Sequence, residues 1–128
     1  MEDWWIQRLI NPRAMAGLYD EEPSLVDFEL HELRVEQRGP NCFIRGDLRD
    51  FPDHPHPSWD ATAKRLQIRL SLSAIDHFEA RGTAAGARVD LSIEPAPDGF
   101  GVAVGGRGEE FEFEVAGIGL QIIGMNTY

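Results

Sequence analysis

The sequence has little cysteine, few basic residues and no long apolar run. Cys42 is the one cysteine among 128 residues, so an internal disulfide is excluded. No apolar stretch approaches the roughly 18–20 residues that a membrane-spanning helix needs. The acidic start, Met1-Glu2-Asp3, differs from the basic start of a secretory signal. We therefore expect a cytoplasmic protein with a single domain over residues 1–128, a length typical of one domain.

The shortage of basic residues gives the chain a strong negative charge. Twelve lysines and arginines stand against 22 aspartates and glutamates, which gives a net charge of −10. This charge repels nucleic acid and anionic membranes, and it attracts a basic protein. We therefore predict no nucleic-acid or membrane partner. Solubility alone is the alternative reason for the acidity.

The N-terminal segment has apolar residues at roughly helical spacing, from Trp4 and Trp5 to Leu9 and Ile10. Asn11-Pro12 then resembles an N-cap followed by proline at the first helical position. These patterns predict two short helices within residues 1–22. Each is too short to be stable alone, so we expect both to pack as a cap on a sheet.

Residues 24–128 alternate between apolar and polar side chains, most regularly in the segment 66–72. This period of two predicts a β-rich body of about seven or eight strands. The phase changes between Leu30 and Leu33, which predicts a β-bulge at His31-Glu32. No helical crossover separates the strands. The predicted fold is therefore α+β, with short N-terminal helices packed on a strongly twisted, mostly antiparallel sheet.

The segment 51–59 contains three prolines, at positions 52, 55 and 57, and ends in a tryptophan. Proline lacks an N–H donor and fixes φ, so the segment cannot be a helix or a central strand. A stiff loop is predicted here, leading into the strand that begins near Leu66. Such a loop is suited to presenting a shaped surface.

The same loop holds the one sequence cluster of candidate metal ligands, His54 and His56 flanked by Asp50 and Asp53. A zinc site needs three or four protein ligands, and no third histidine lies at a recognisable spacing. His31 and His77 are isolated in the sequence. We therefore predict an exposed turn, with no metal and no cofactor.

No residue pattern indicates catalysis. Cys42 lies among apolar strand residues, where a buried inert thiol is expected. The glycine-rich segment 99–108 precedes an acidic strand-like segment instead of the helix that a phosphate loop needs. We therefore predict that the protein is not an enzyme.

Acidic residues form the candidate contact surface. Glu110, Glu112 and Glu114 share one face of a predicted strand, and the segment 20–22 adds three more carboxylates. We predict that this charge docks a basic protein, with an ordinary solvated sheet face as the alternative. The predicted contact residues are Asp50, Phe51, Asp53, His54, His56, Glu110, Glu112 and Glu114.

Several short motifs occur in the order seen in a bacterial family. They are Trp4 or Trp5 with Ile6, Asn11, Leu18-Tyr19, Pro23-Ser24-Leu25, Gly39-Pro40, Phe51-Pro52, Pro55, Trp59 and Leu70-Ser71-Leu72. In this order the chain resembles the polymorphic-toxin immunity proteins called immunity protein 50. Its histidines in the proline loop and its small, glycine-rich segment 82–88 depart from that pattern.

The resemblance implies a cytoplasmic protein that binds a cognate toxin domain and neutralises it. It assigns no contact residue and no toxin. A basic nuclease is one hypothesis for the toxin, because carboxylates can imitate phosphate charge. A stand-alone β-rich binding module for another basic protein or a small ligand is the alternative function.

Overall fold

Eight strands form one antiparallel sheet in the computed structural model, which describes residues 4–82, 88–96, 99–106 and 111–128. The strands are β1 Phe28–Glu36, β2 Asn41–Asp47, β3 Leu66–Ser73, β4 His77–Gly82, β5 Arg88–Ala96, β6 Gly99–Gly106, β7 Phe111–Gly117 and β8 Gly119–Thr127. Their order across the sheet is β4-β7-β6-β5-β1-β2-β3-β8. The prediction of seven or eight antiparallel strands is confirmed.

The sheet consists of two four-stranded halves that fold over one another. The halves join where β1 pairs with β5, through Phe28 with Val89 and Glu29 with Arg88. A single residue, Ile118, separates β7 from β8. Strand β3 also contacts β7, and β6 contacts β8, although neither pair is adjacent in the sheet. The two apolar faces therefore cover each other.

The core lies between these halves and follows the period-two pattern. In β3 the side chains of Leu66, Ile68, Leu70 and Leu72 are buried, while the residues between them are half-buried or exposed. The other half contributes buried residues at the same period, such as the three apolar positions of β5. These are Val89, Leu91 and Ile93. Burial of this alternating face selects the strand conformation.

The predicted bulge is confirmed in β1. Leu30 pairs with Gly46 and Glu32 pairs with Arg45, so the pairing with β2 passes over His31. The extra residue keeps Leu30 buried while it shifts the register of the rest of the strand. A bulge also redirects a side chain, and His31 here approaches Asp47 at the end of β2.

The predicted N-terminal helices are not confirmed. The segment contains one α-helical turn, α1 Trp4–Gln7, and a three-residue 3₁₀ helix at Pro12–Ala14. Its apolar side chains still reach the core: Trp5, Leu9, Met15 and Leu18 are buried. Helices this short gain too few hydrogen bonds to offset the cost of nucleation, so contact with the sheet sets the backbone path.

Asn11 shows why the helical prediction failed. Its side chain makes no N-cap hydrogen bond. Instead, Asn11 Nδ2 donates to the Ile122 carbonyl at 2.7 Å, and Oδ1 accepts from the Ile122 N–H at 3.0 Å. The Ile10 N–H donates to the Leu120 carbonyl at 2.7 Å. This segment therefore occupies backbone groups of the edge strand β8.

The proline loop between β2 and β3 contains neither helix nor strand in segment 51–59, as predicted. Trp59 is half-buried against the core. The short segment after β3 leads into strand β4, which begins at His77. All six residues of β4 are exposed.

Gly46 of β2 packs closely against Phe28 and Glu29 of β1, which generates a stability prediction. A Cβ atom here would overlap the Glu29 carbonyl oxygen and the Phe28 ring, with Phe28 Cζ only 2.6 Å away. We expect Gly46→Ala to lower the free energy of unfolding by about 1–3 kcal/mol or more, as overpacked cores do. Urea denaturation followed by circular dichroism measures this loss.

Gly101 provides the matched control, since it also lies within a strand. A Cβ atom there would have the Val115 carbonyl oxygen, 3.9 Å away, as its nearest neighbour. Gly101→Ala is expected to leave stability unchanged or slightly raised. Equal losses in the two variants would contradict the close approach at Gly46.

Candidate functional site

The proline loop and the N-terminal segment together form a groove rich in carboxylates, called here the acidic groove. It has a volume of about 640 Å³. Its lining consists of Tyr19, Asp20, Glu21, Glu22, Pro23, Ser24, Arg49, Asp50, Phe51 and Asp53. Five carboxylates therefore face one guanidinium group, which gives the groove a negative potential.

Hydrogen bonds attach the loop to the N-terminal segment. The Tyr19 hydroxyl donates to the Asp50 carbonyl at 2.6 Å. The His54 N–H donates to the Leu18 carbonyl at 2.8 Å, and the Asp20 N–H donates to Asp53 Oδ2 at 2.9 Å. These bonds hold both walls of the groove in place, so its shape is set before any partner binds.

Burial makes the hydroxyl of Tyr19 a weaker acid than that of an exposed tyrosine. Burial first, and then the carboxylates of Asp50 and Asp53, raise the pKa of Tyr19 well above its ordinary value of 10.0. The phenol therefore stays protonated and keeps donating to the loop backbone. Tyr19 is thus uncharged within the negative groove, and its hydrogen bond holds the loop to the N-terminal segment.

The predicted contact residues of the loop are only partly brought together. Asp50, Phe51 and Asp53 line the acidic groove. His54 is exposed, with Nε2 2.7 Å from Asp20 Oδ1. His56 instead contacts Ser58, whose N–H donates to its Nδ1 at 3.1 Å. The two histidines therefore face separate partners, and no ligand cluster among the described residues includes them.

The predicted acidic strand lies in β7, where Glu112 and Glu114 are exposed. Glu112 forms an ion pair with Arg81 of β4, and Glu114 Oε1 lies 3.2 Å from His77 Nε2. Glu110 lies outside the described residues. A second groove of about 490 Å³ covers this β4–β7 face, with three carboxylates and Arg81 in its lining.

A third polar group, called here the Asp47 cluster, could not be found from the sequence. The Asp47 side chain is fully buried at the end of β2. Its Oδ2 accepts from Arg65 Nε at 2.7 Å and from the Tyr128 hydroxyl. Arg65 also donates to Glu29, and His31 Nε2 lies 3.3 Å from Asp47 Oδ1.

These contacts control the charge of Asp47. Burial opposes its ionised form, but contacts from Tyr128, Arg65 and His31 outweigh burial and hold the pKa of Asp47 below its ordinary value of 3.8. The carboxylate is therefore charged near neutral pH. The five residues of the cluster are scattered from position 29 to position 128, so no local spacing revealed them. The feature of the sequence that could have indicated the cluster was His31, a histidine at the predicted bulge.

Cys42 is buried in β2, and burial raises the pKa of its thiol to about 11. A thiol that stays protonated near neutral pH is a poor nucleophile. The expectation of a buried thiol is confirmed.

Comparison with known proteins gives one family. A family model described as immunity protein 50 matches residues 11–126. No curated protein and no solved structure matches the chain. Within the described residues, no helix has the length and apolar character required to cross a membrane.

The two tyrosines of the chain generate a pH prediction. Hydrogen bonding to Asp47, followed by burial, raises the pKa of Tyr128, and burial raises that of Tyr19. Because the folded state favours the neutral phenols, their contribution to stability is complete below about pH 10 and declines above it. Tyrosinate absorbance should therefore appear only above pH 10 in the folded protein.

Tyr128→Phe leaves Tyr19 as the one tyrosine and isolates its titration. The chain unfolded in guanidinium chloride is the control and should titrate near the ordinary value of about 10. A folded-state midpoint at or below that of the unfolded chain would show that Tyr19 is not buried beside the loop.

Proposed function

The chain belongs to the immunity protein 50 family, and from this premise we propose that it binds and neutralises a cognate bacterial toxin domain by forming a stoichiometric complex. The family match is the observation that carries the proposal. A protein that blocks another protein needs a stable fold and a complementary surface, and it needs no catalytic groups. The complex would form in the cytoplasm and protect the producing cell or its kin.

We propose the acidic groove as the toxin-binding surface. It presents the carboxylates of the segment 20–22 together with Asp50 and Asp53, beside a single arginine. A groove whose walls are already hydrogen-bonded together loses little conformational entropy on binding. Complementary charge would steer a basic toxin toward it and would raise the association rate.

The β4–β7 face is the less favourable surface on charge. Its Glu112 already pairs with Arg81, and its Glu114 lies beside His77. A basic side chain from a partner would have to compete with these contacts. Similar contacts occur in the acidic groove, where Asp50 pairs with Arg49 and Asp20 lies beside His54. The groove nevertheless has five carboxylates in its lining, against three on the β4–β7 face, and each lining contains one arginine. Among the groove carboxylates, Glu21 is exposed.

An interface of ordinary size buries about 1,600 Å² and needs an aromatic or apolar anchor as well as charge. Phe51 is half-buried and lines the acidic groove, so it can supply this anchor. His56 and the half-buried Trp59, whose rings lie 6.0 Å apart, extend the aromatic surface along the loop.

The negative groove supports a nuclease as the toxin. A nuclease active site is basic because it binds phosphates, and a row of carboxylates imitates their charge. Occupation of that site would block its substrate directly. The family match leaves the toxin's activity open, so the identity of the toxin is the first thing to establish.

Co-expression tests the proposal directly. The chain should restore growth to cells that express the toxin encoded beside its own gene, and the two proteins should co-purify in equal amounts. Cells that stop growing while free toxin accumulates would contradict the proposal. Binding to an unrelated basic protein with no toxin rescue would favour the alternative of a general binding module.

Charge reversal tests the choice of surface. Glu21→Lys with Asp50→Lys should weaken the complex by about tenfold or more, because two like charges then oppose the basic partner. Asp76→Lys with Glu94→Lys is the matched control, since both residues are exposed, lie outside the groove and give the same net charge. Calorimetry should find near-wild-type affinity for this control.

Charge reversal on β7 tests the competing surface. Glu110→Lys, Glu112→Lys and Glu114→Lys together should change affinity little if the acidic groove binds the toxin. A larger loss in this triple variant than in the groove variant would place the interface on the β4–β7 face.

Salt dependence gives an independent measurement. Between about 0.05 and 0.5 M salt, screening should lower the association rate constant by about tenfold or more and leave the dissociation rate constant nearly unchanged. Stopped-flow mixing measures both. A constant association rate would show that charge does not steer the encounter.

A further inference from the structure

The Asp47 cluster contains two buried polar atoms that lie at ion-pair distance but make no hydrogen bond. Among the described residues, His31 Nε2 and Asp47 Oδ1 are buried side-chain atoms without a hydrogen-bond partner. They lie 3.3 Å from one another, yet the geometry of a hydrogen bond is not met. Because buried polar atoms in folded proteins nearly always have a partner, such a pair points to a ligand between them.

The separation of the two atoms fits shared coordination of one metal ion. Zinc binds histidine nitrogen at about 2.0–2.1 Å and carboxylate oxygen at about 2.0–2.2 Å, usually with tetrahedral geometry. Two such ligands lie about 3.4 Å apart. A charged hydrogen bond between the same atoms would instead be about 2.7–2.9 Å long. The observed 3.3 Å therefore agrees better with coordination than with direct bonding.

Glu29 supplies a third ligand. One ligand atom each from Glu29, His31 and Asp47 lies within 4.8 Å of the other two. Arg65 contacts Glu29 through Oε1, which leaves the second carboxylate oxygen for an ion. The side chains of Glu29 and His31 are about one quarter exposed, so the site opens to solvent on one side.

The surrounding contacts favour this arrangement. Arg65 and Tyr128 occupy Asp47 Oδ2 and so fix the carboxylate with Oδ1 directed at His31. Hydrogen bonds of this kind orient metal ligands in known sites. The connected ion pairs contain three carboxylates, of Asp27, Glu29 and Asp47, and the two guanidinium groups of Arg65 and Arg88. This leaves one net negative charge, which attracts a cation. The bulge in β1 allows His31 to reach the end of β2.

We propose that Glu29, His31 and Asp47 bind a divalent transition-metal ion of the zinc type. Three protein ligands leave one tetrahedral position for water or for a group from a partner. Imidazole favours zinc and its neighbours over magnesium or calcium. The exposed group of His77, Glu79 and Glu114 has similar residue types but no buried unsatisfied atom, so it supports no such proposal.

Calorimetry tests the proposal on the chain without a histidine tag, after treatment with a chelator. Zinc should bind with one ion per chain, and magnesium at the same concentration should give no comparable binding. His31→Ala should lower the zinc affinity by at least about tenfold. His77→Ala is the matched control and should bind as tightly as the original chain.

Two further measurements keep the test decisive if His31→Ala folds poorly. Zinc in excess should raise the Tm of the unaltered chain by several degrees, because an ion that binds only the folded state stabilises it. In nuclear magnetic resonance spectra, zinc should shift the ring signals of His31 and leave those of His54, His56 and His77 in place. Absence of zinc binding, or loss of binding in His77→Ala alone, would overturn the proposal.

Discussion

The need to cover one apolar sheet face without helices governs this structure. The alternating pattern gives the strands other than β4 a buried side, yet the described residues contain a single helical turn and one 3₁₀ helix to shield it. The sheet therefore folds over itself, and its two halves bury each other's side chains. The right-handed twist that strands generally have favours such folding. This constraint explains the close packing of Gly46 against Phe28 and the bulge at His31.

Most of the strands could be predicted because a period of two is a strong signal over six or more residues. The bulge could be predicted for the same reason, since an inserted residue is what shifts the phase within one continuous strand. The N-terminal segment misled us because five apolar residues in seven fit both a helix and an irregular chain lying on a sheet. There, contact with the edge of β8 decided the conformation, and such a contact leaves no local pattern.

The candidate site could be predicted only in part. The carboxylates of the acidic groove were visible as acidic segments, but their meeting across about 30 residues of chain was not. The sequence also cannot distinguish a carboxylate that faces solvent from one that holds the fold together. Asp50 and Asp47 lie three residues apart, yet the first is exposed in a groove and the second is buried against Arg65. His31 appeared isolated for the same reason, because its partner Asp47 comes from another strand.

The hydrogen bonds between the Asn11 side chain and Ile122 affect how the protein folds during its synthesis. Ile122 lies 111 residues further along, so this contact must wait until β8 has left the ribosome. At about 5–20 residues per second, that delay is on the order of 5–20 s. Until β8 is made, the backbone around Asn11 lacks the strand on which it docks. Strand β8 thus secures a segment that is made more than 100 residues before it.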